Sequence, residues 1–316
     1  MTKVLVVGGD GFLGQHVVRS FERRGYSVEV QSRRTGLDAR DEAAVRAFLG
    51  SSKPDILVNC AGNVGGIAHT SKHLVAVYED NLLIGFNLIR AAVGCGVKKF
   101  VNLMPNCTYP GALEAYSEER WWDGPLHPTV MTYAMPRKAL WVQSWAYRQE
   151  REFRSIHLVL PNMYGPGGHF DESAHALGAL VRKVMEAKAN GSSEIEIWGT
   201  GRPVREWLYV EDAAEGIVLA AERYDDIEIM NLGRGEGCSI RELAELIADV
   251  ARWSGEFFYD TTRPDGAQCK ILDVKKMKAV LRWSPPTGLR DGISRTIEWF
   301  NENKEATKDL ASFRER

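Results

Sequence analysis

Residues 4–14 read VLVVGGDGFLG: an apolar run, then glycines at 8, 11 and 14, then an amphipathic stretch through Val17, Val18 and Phe21. A short apolar run closed by glycine reads as a buried parallel strand, and the periodicity behind it as a helix. A strand feeding a helix through such a turn has few uses. Gly8 and Gly11 let backbone N–H groups approach a pyrophosphate at the helix N-terminus, with Phe12 and Leu13 in its first turn, and Gly14 lets the helix pack close to the strand. Glycine triplets alone are common in turns; the strand before and the helix after make this one a candidate dinucleotide site.

A second strand is expected at Ser27–Gln31, followed by QSRRTGLD where an NAD enzyme usually carries an acidic residue for the ribose. Arg33 and Arg34 suit a 2′-phosphate, which favours NADP over NAD, although two arginines are also an ordinary solvated surface. Asp38 joins the cofactor set at the end of that stretch. Further strands fit Asp55–Asn59, Lys99–Leu103 and Ser155–Leu160, with helical periodicity over 72–94 and 133–150. Alternating strand and helix predicts an α/β fold, a Rossmann-type doubly wound parallel sheet. The expected division is an NAD(P)-binding domain over 1–165 and a smaller substrate-binding lobe over 166–305, some of whose segments return to the first domain.

The chain has 316 residues, 40 basic against 42 acidic, so no basic field for nucleic acid or an anionic membrane is expected. No apolar run reaches the length of a membrane span, and MTKVLVVGG reads as a strand, not a signal peptide. Five cysteines (60, 95, 107, 238, 269) are odd in number and unclustered. They suggest neither a disulfide framework nor a metal site, and fit a reducing cytoplasm. The polar tail beyond Trp299 is expected to fray.

The glycine spacing, the Tyr133-x-x-x-Arg137 element in MTYAMPRK, PNMYGPG and WGTGRPVREWLYVEDAA together resemble the extended short-chain dehydrogenase/reductase family. KPDILVNCAGNVGGIAH, VKKFVNLMPNCTYP and RPDGAQCKILDVKKM resemble its GDP-fucose synthase branch, NADPH-dependent epimerase–reductases of a GDP-4-keto-6-deoxy sugar. The likeness runs to about Phe300. It implies Ala61 and Asn162 as cofactor contacts, and Cys107 with His175 as the pair that exchanges protons beside the ketone. Thiol and imidazole are suitable types for that work. As bare residues, Cys107 equally reads as a small buried filler and His175 as a helix cap. Tyr133 would protonate the C4 oxygen during reduction, with its phenol lowered by a neighbouring cation. For the substrate the resemblance implies Lys183, Trp198, Arg205, Asp265 and Lys270, with Arg205 just before a strand.

Three positions depart from the family pattern. Pro105 stands where a serine donates to the substrate oxygen, Arg137 where a lysine stands, and Asn63 where the loop usually has lysine. Proline has neither hydroxyl nor N–H, and arginine holds charge without relaying a proton. Asn106 is the residue positioned to replace the lost hydrogen bond, while Lys138 should face elsewhere on the helix. Three readings follow: an epimerase–reductase, an epimerase without net redox turnover, and a catalytically weak NADP-binding scaffold. A homodimer is expected through helices 72–94 and 133–150, the second carrying Trp141 and Trp145.

Overall fold

The computed structural model describes residues 1–303 apart from Glu114, Glu172, Ser173 and Pro264. In chain order the strands are β1 (Lys3–Val7), β2 (Ser27–Gln31), β3 (Ile56–Asn59), β4 (Lys99–Pro105), β5 (Ser155–Leu160), β6 (Asn162–Tyr164), β7 (Glu194–Trp198), β8 (Val204–Tyr209), β9 (Ile229–Asn231), β10 (Gly237–Ser239), β11 (Glu256–Asp260) and β12 (Cys269–Lys270). The α-helices are α1 (Phe12–Arg23), α2 (Glu42–Ser52), α3 (Ile67–Lys72), α4 (Leu74–Gly94), α5 (Met131–Arg151), α6 (Ala176–Asn190), α7 (Val210–Arg223), α8 (Ile240–Ala251), α9 (Lys275–Leu281) and α10 (Leu289–Glu302).

Among the described residues, β2-β1-β3-β4-β5-β9 form one parallel sheet. Its direction of winding reverses between β1 and β3, which opens a crevice at their C-terminal ends, where such sheets bind ligands. The strands are buried on both faces, hence their largely apolar runs. Strand β9 joins this sheet from beyond residue 165, and α7 packs against α1, so the chain after β8 returns to the first layer. The remaining strands make a β10-β8-β12 sheet with β6 on β8, and a separate β11-β7 pair. Around them Tyr164, Leu177, Val181, Trp207, Ile247 and Ile293 bury a second core.

Differences from the sequence expectation are local. The helix foreseen over 72–94 begins as α3, breaks at His73 (φ −126°, ψ 42°) and resumes as α4. Arg205 lies within β8 instead of before it, because the pairing with β10 and β12 already includes Val204 and Arg205. Ser239 caps α8, with Glu242 reaching back to close a capping box. Helix α10 continues past Trp299 to Glu302; the frayed tail expected there otherwise lies outside the described residues. Helices α4 and α5 pack very closely, since a Cβ on Gly85 would collide with the Leu140 side chain.

Candidate active site

The turn after β1 has the shape the glycines predict. Gly8 has φ +80°, and a Cβ there would lie 2.7 Å from the Ala61 amide nitrogen in the loop after β3. Gly14 could not carry a Cβ without striking the Gly8 carbonyl. Gly11 caps α1 without a side chain, so the first-turn N–H groups at Phe12 and Leu13 have no intrahelical partner and face the crevice end of the sheet. These features fit a dinucleotide pyrophosphate.

Beyond β2 the two arginines separate in role. Arg34 Nε pairs with Asp10 Oδ2 at 2.9 Å, and Asp10 also accepts from Ser32 Oγ at 2.7 Å. Arg33 is exposed. The Arg34 side chain is 63% exposed, and a pair that open contributes about 0–1 kcal/mol, so an incoming phosphate can compete for it. Asp38 is gripped by Arg40 (Nη2 to Oδ2, 2.6 Å), whose hydrogen bonds hold its carboxyl below the ordinary range. Arg40 reaches on to Asp80 at 3.1 Å, and Asp80 accepts from Asn63 Nδ2 at 3.0 Å. Asn63 thus ties the loop after β3 to α4. Asn162, at the start of β6, donates to the Glu206 carbonyl at 3.4 Å.

Arg137 is buried on α5, one turn from Tyr133, its guanidinium carbon 5.8 Å from the tyrosine ring centre. Its Nη2 donates to Asn81 Oδ1 at 2.8 Å and approaches the Ala61 carbonyl at 3.5 Å, while its Nε has no partner among the described residues. Asn81 also accepts from the Asn63 amide at 3.1 Å and donates to the Asn63 carbonyl at 2.9 Å. Burial pushes the Tyr133 phenol up to about 12; Arg137 pulls the other way and loses. Tyr133 is therefore a proton donor at neutral pH. Lys138 does face elsewhere: its Nζ donates to the Trp121 carbonyl at 2.6 Å between the Trp121 and Trp122 rings, and burial lowers it to about 8. Trp141 packs on the same two indoles and donates to the Ile227 carbonyl at 2.8 Å. That corrects its expected place on an outer face; Trp145 is the exposed one.

At the end of β4 the chain turns through Asn106–Thr108. Thr108, the nearest hydroxyl to the missing serine, is spent on structure, donating to the Pro105 carbonyl at 2.9 Å and accepting from Trp121 Nε1 at 3.0 Å. Asn106 is buried, and its amide makes no hydrogen bond among the described residues. Burial raises the Cys107 thiol to about 11, against the pull of Lys270 and Arg137. Burial likewise lowers Lys270 and Arg205, which lie in each other's field. The structure thus brings Tyr133, Arg137, Cys107, Lys270 and Arg205 into one electrostatic neighbourhood.

Arg205 also lines a small cavity with Trp198, Pro203, Ile240, Asp265 and Gly266. Asp265 accepts from Thr200 N at 2.9 Å and Thr200 Oγ1 at 2.7 Å, which keeps its carboxyl low. Trp198 is 63% exposed with Arg263 over its ring at 4.9 Å. Lys183 stands outside that lining, its Nζ donating to the Glu196 carbonyl at 2.7 Å. His175 is exposed at the N-cap of α6.

Residues 4–233 match the NAD dependent epimerase/dehydratase family. The chain belongs to that family. Among its relatives, "GDP-L-fucose synthase 1" of Arabidopsis thaliana is 37% identical over 95% of this chain and 94% of its own. A GDP-6-OMe-4-keto-L-xylo-heptose reductase from C. jejuni superposes with a TM-score of 0.88 at 26% identity, covering 96% of this chain and 98% of that one. A GDP-L-fucose synthetase from Naegleria fowleri, bound to NADP, gives 0.86 at 26% identity over 96% and 95%. Two further residues, passed over by sequence reasoning, brace the residues of the candidate site. Asn81 positions Arg137, and its signal was a polar side chain on the apolar face of α4. Glu206, fully buried, accepts from the amides of Gly235 (3.0 Å) and Leu272 (2.8 Å), fastening β8 beside Arg205 to the chain that leads out of β12. Among the described residues there is no metal-binding cluster, and no helix is long and apolar enough to cross a membrane.

Proposed function

We propose that this protein is an NADP-dependent epimerase–reductase of a 4-keto-6-deoxyhexose carried on a nucleoside diphosphate, with GDP the favoured nucleotide. The observation that carries the reading is that Cys107 lies in the electrostatic field of both Arg137 and Lys270. The proton-exchanging thiol is then close to the reducing apparatus and to a cation that suits a diphosphate. Support comes from relatives named for GDP-sugar chemistry, one of them a reductase of a GDP-4-keto sugar.

The C3 and C5 protons of a 4-keto sugar are acidic because the enolate delocalises onto the ketone oxygen. Cys107 is held as a thiol, so it gives a proton, and His175 takes one from the opposite face. Lys270 and Arg205 bind the diphosphate, Asp265 a hydroxyl, and Trp198 offers an indole face. Gly8, Gly11, Phe12, Leu13, Gly14, Ala61 and Asn162 hold NADPH, with Arg33 and Arg34 at its 2′-phosphate and Asp38 nearby; bound there, it supplies hydride. Tyr133 gives its proton to the C4 oxygen, and Arg137, oriented by Asn81, holds the ribose and stabilises the tyrosinate left behind. Asn106 donates to the same oxygen in place of the absent serine.

Incubating the protein with GDP-4-keto-6-deoxymannose in deuterated water tests this. Deuterium enters beside the ketone without NADPH, and the product is reduced only with it; a substrate left untouched overturns the reading. Exchange without reduction would instead support the second reading, an epimerase without net redox turnover. That reading is favoured by Pro105 and by Thr108 being bound elsewhere. In the cofactor, NADPH binds more tightly than NADH, and Arg33→Ala narrows the gap about tenfold, since a charge-assisted contact is worth about 1.5–3 kcal/mol. Titration of both cofactors checks it, and equal affinities refute it.

The chain pairs as a homodimer through α4 and α5, where Leu83, Phe86, Met135, Val142 and Trp145 are each 39–46% exposed on neighbouring helices. Sedimentation at micromolar concentration is expected to show a dimer that Phe86→Asp with Trp145→Asp converts to monomer. A native monomer rejects the interface. The five unbridged cysteines fit the cytoplasm, which cell fractionation checks.

A further inference from the structure

Asn59, Asn102 and His157 face one another across the middle of the main sheet: Asn59 is the register partner of Asn102, and Asn102 of His157. Each is at most 1% exposed, in strands otherwise apolar apart from Lys99 and Ser155 at the starts of β4 and β5. The Ala61 amide donates to Asn59 Oδ1 at 3.2 Å, Asn59 Nδ2 to Asn102 Oδ1 at 3.3 Å, and Asn102 Nδ2 to His157 Nδ1 at 3.3 Å.

The direction of the chain is dictated from one end. A backbone N–H can only donate, so Asn59 must present its oxygen to Ala61 and its NH2 to Asn102. Asn102 must then do the same toward His157, whose Nδ1 is left as the acceptor. The ring proton therefore sits on Nε2, which has no partner among the described residues. A buried, unmet N–H is costly and calls for a reason. Burial also drives the imidazole down to about 3, so the ring stays neutral and Nδ1 stays free to accept.

Ala61 is where the two nucleotide-facing turns meet. Its amide nitrogen would lie 2.7 Å from a Cβ on Gly8, and its carbonyl is approached by Arg137 Nη2 at 3.5 Å. We propose that the Asn59–Asn102–His157 ladder is a positioning device that fixes the Ala61 peptide and so sets the crevice for the nicotinamide half of the cofactor. Asn102 and His157 are thus positioning residues that touch neither cofactor nor substrate. The proposal rests on the dinucleotide reading of the β1 and β3 turns.

Its first test needs no variant. A long-range ¹H–¹⁵N spectrum of the native protein is expected to show His157 as the Nε2–H tautomer; an Nδ1–H or doubly protonated ring overturns the ladder. His157→Leu removes the terminal acceptor. Hydrogen exchange at the Ala61 amide should then quicken at least tenfold and the Kd for NADPH rise about tenfold, with GDP binding unchanged within twofold. His157→Gln, which keeps an acceptor, restores both. Ala61 exchange that is unaltered in His157→Leu refutes the proposal. Tautomer and exchange are read without cofactor, so a native protein that bound no NADPH would sink the oxidoreductase reading while the ladder was still judged on its own.

Discussion

Tyr133→Phe is expected to cut NADPH oxidation by roughly 10² to 10⁴ while deuterium exchange beside the ketone stays within about threefold of native. The two chemistries use different protons. Reduction needs an acid at the C4 oxygen, and the Tyr133 hydroxyl, kept protonated by burial, is the group next to the Arg137 charge. Exchange needs acid and base at the neighbouring carbons, which the phenol does not serve. The partner of Tyr133 separates charge from shape. Arg137→Met takes the cation away and leaves Asn81 Oδ1 without its 2.8 Å donor, so oxidation falls as it does for Tyr133→Phe. Arg137→Lys keeps the charge and retains oxidation. Parallel rates of oxidation and exchange, measured on the same Tyr133→Phe sample, decide the matter: an equal loss in both would place Tyr133 in the exchange step and undo the division of roles.

The dinucleotide half of the fold was legible because its signals are local. A buried parallel strand must be apolar on both faces, as in Val4–Val7, and the glycine at 14 is forced by contacts with Gly8 and Gly9 a few residues back. Strand and helix positions came out within a few residues for the same reason. What was not legible depends on pairings distant in sequence. That Arg34 meets Asp10 follows from the pairing of β1 with β2, and that Arg137 is steered by Asn81 56 residues away and Thr108 taken by Trp121 follow from the packing of α5 and the β4 turn. None has a spacing rule. The Trp141 ring illustrates the limit: periodicity put it four residues from Trp145 on a helix, but could not say which indole the Trp121–Trp122 pair would claim. The Asn59–Asn102–His157 ladder was hidden similarly, since each member alone is one polar residue in an apolar strand, and only the register aligns them.

Cys107→Ser and His175→Asn are each expected to lower deuterium incorporation by about 10² to 10⁴, the usual effect of removing one positioned acid or base. Serine keeps the size of Cys107 but is a far weaker acid than a thiol, even one that burial has raised to about 11. Asparagine at 175 retains a side chain able to cap α6, so stability should hold while proton transfer is lost. The two variants differ in what survives. A substrate whose stereocentres need no inversion bypasses both residues, so reduction of such an analogue persists in Cys107→Ser and His175→Asn and disappears in Tyr133→Phe. The thiol also feels both Arg137 and Lys270, so Lys270→Met raises it further by removing one of the two charges that hold it down, and weakens diphosphate binding as well. The signature is a rise in KM together with a fall in exchange rate, where a purely binding role would move KM alone. If both Cys107→Ser and His175→Asn exchange deuterium at the native rate, the proton shuttle lies elsewhere in the cleft and the epimerase assignment falls with it.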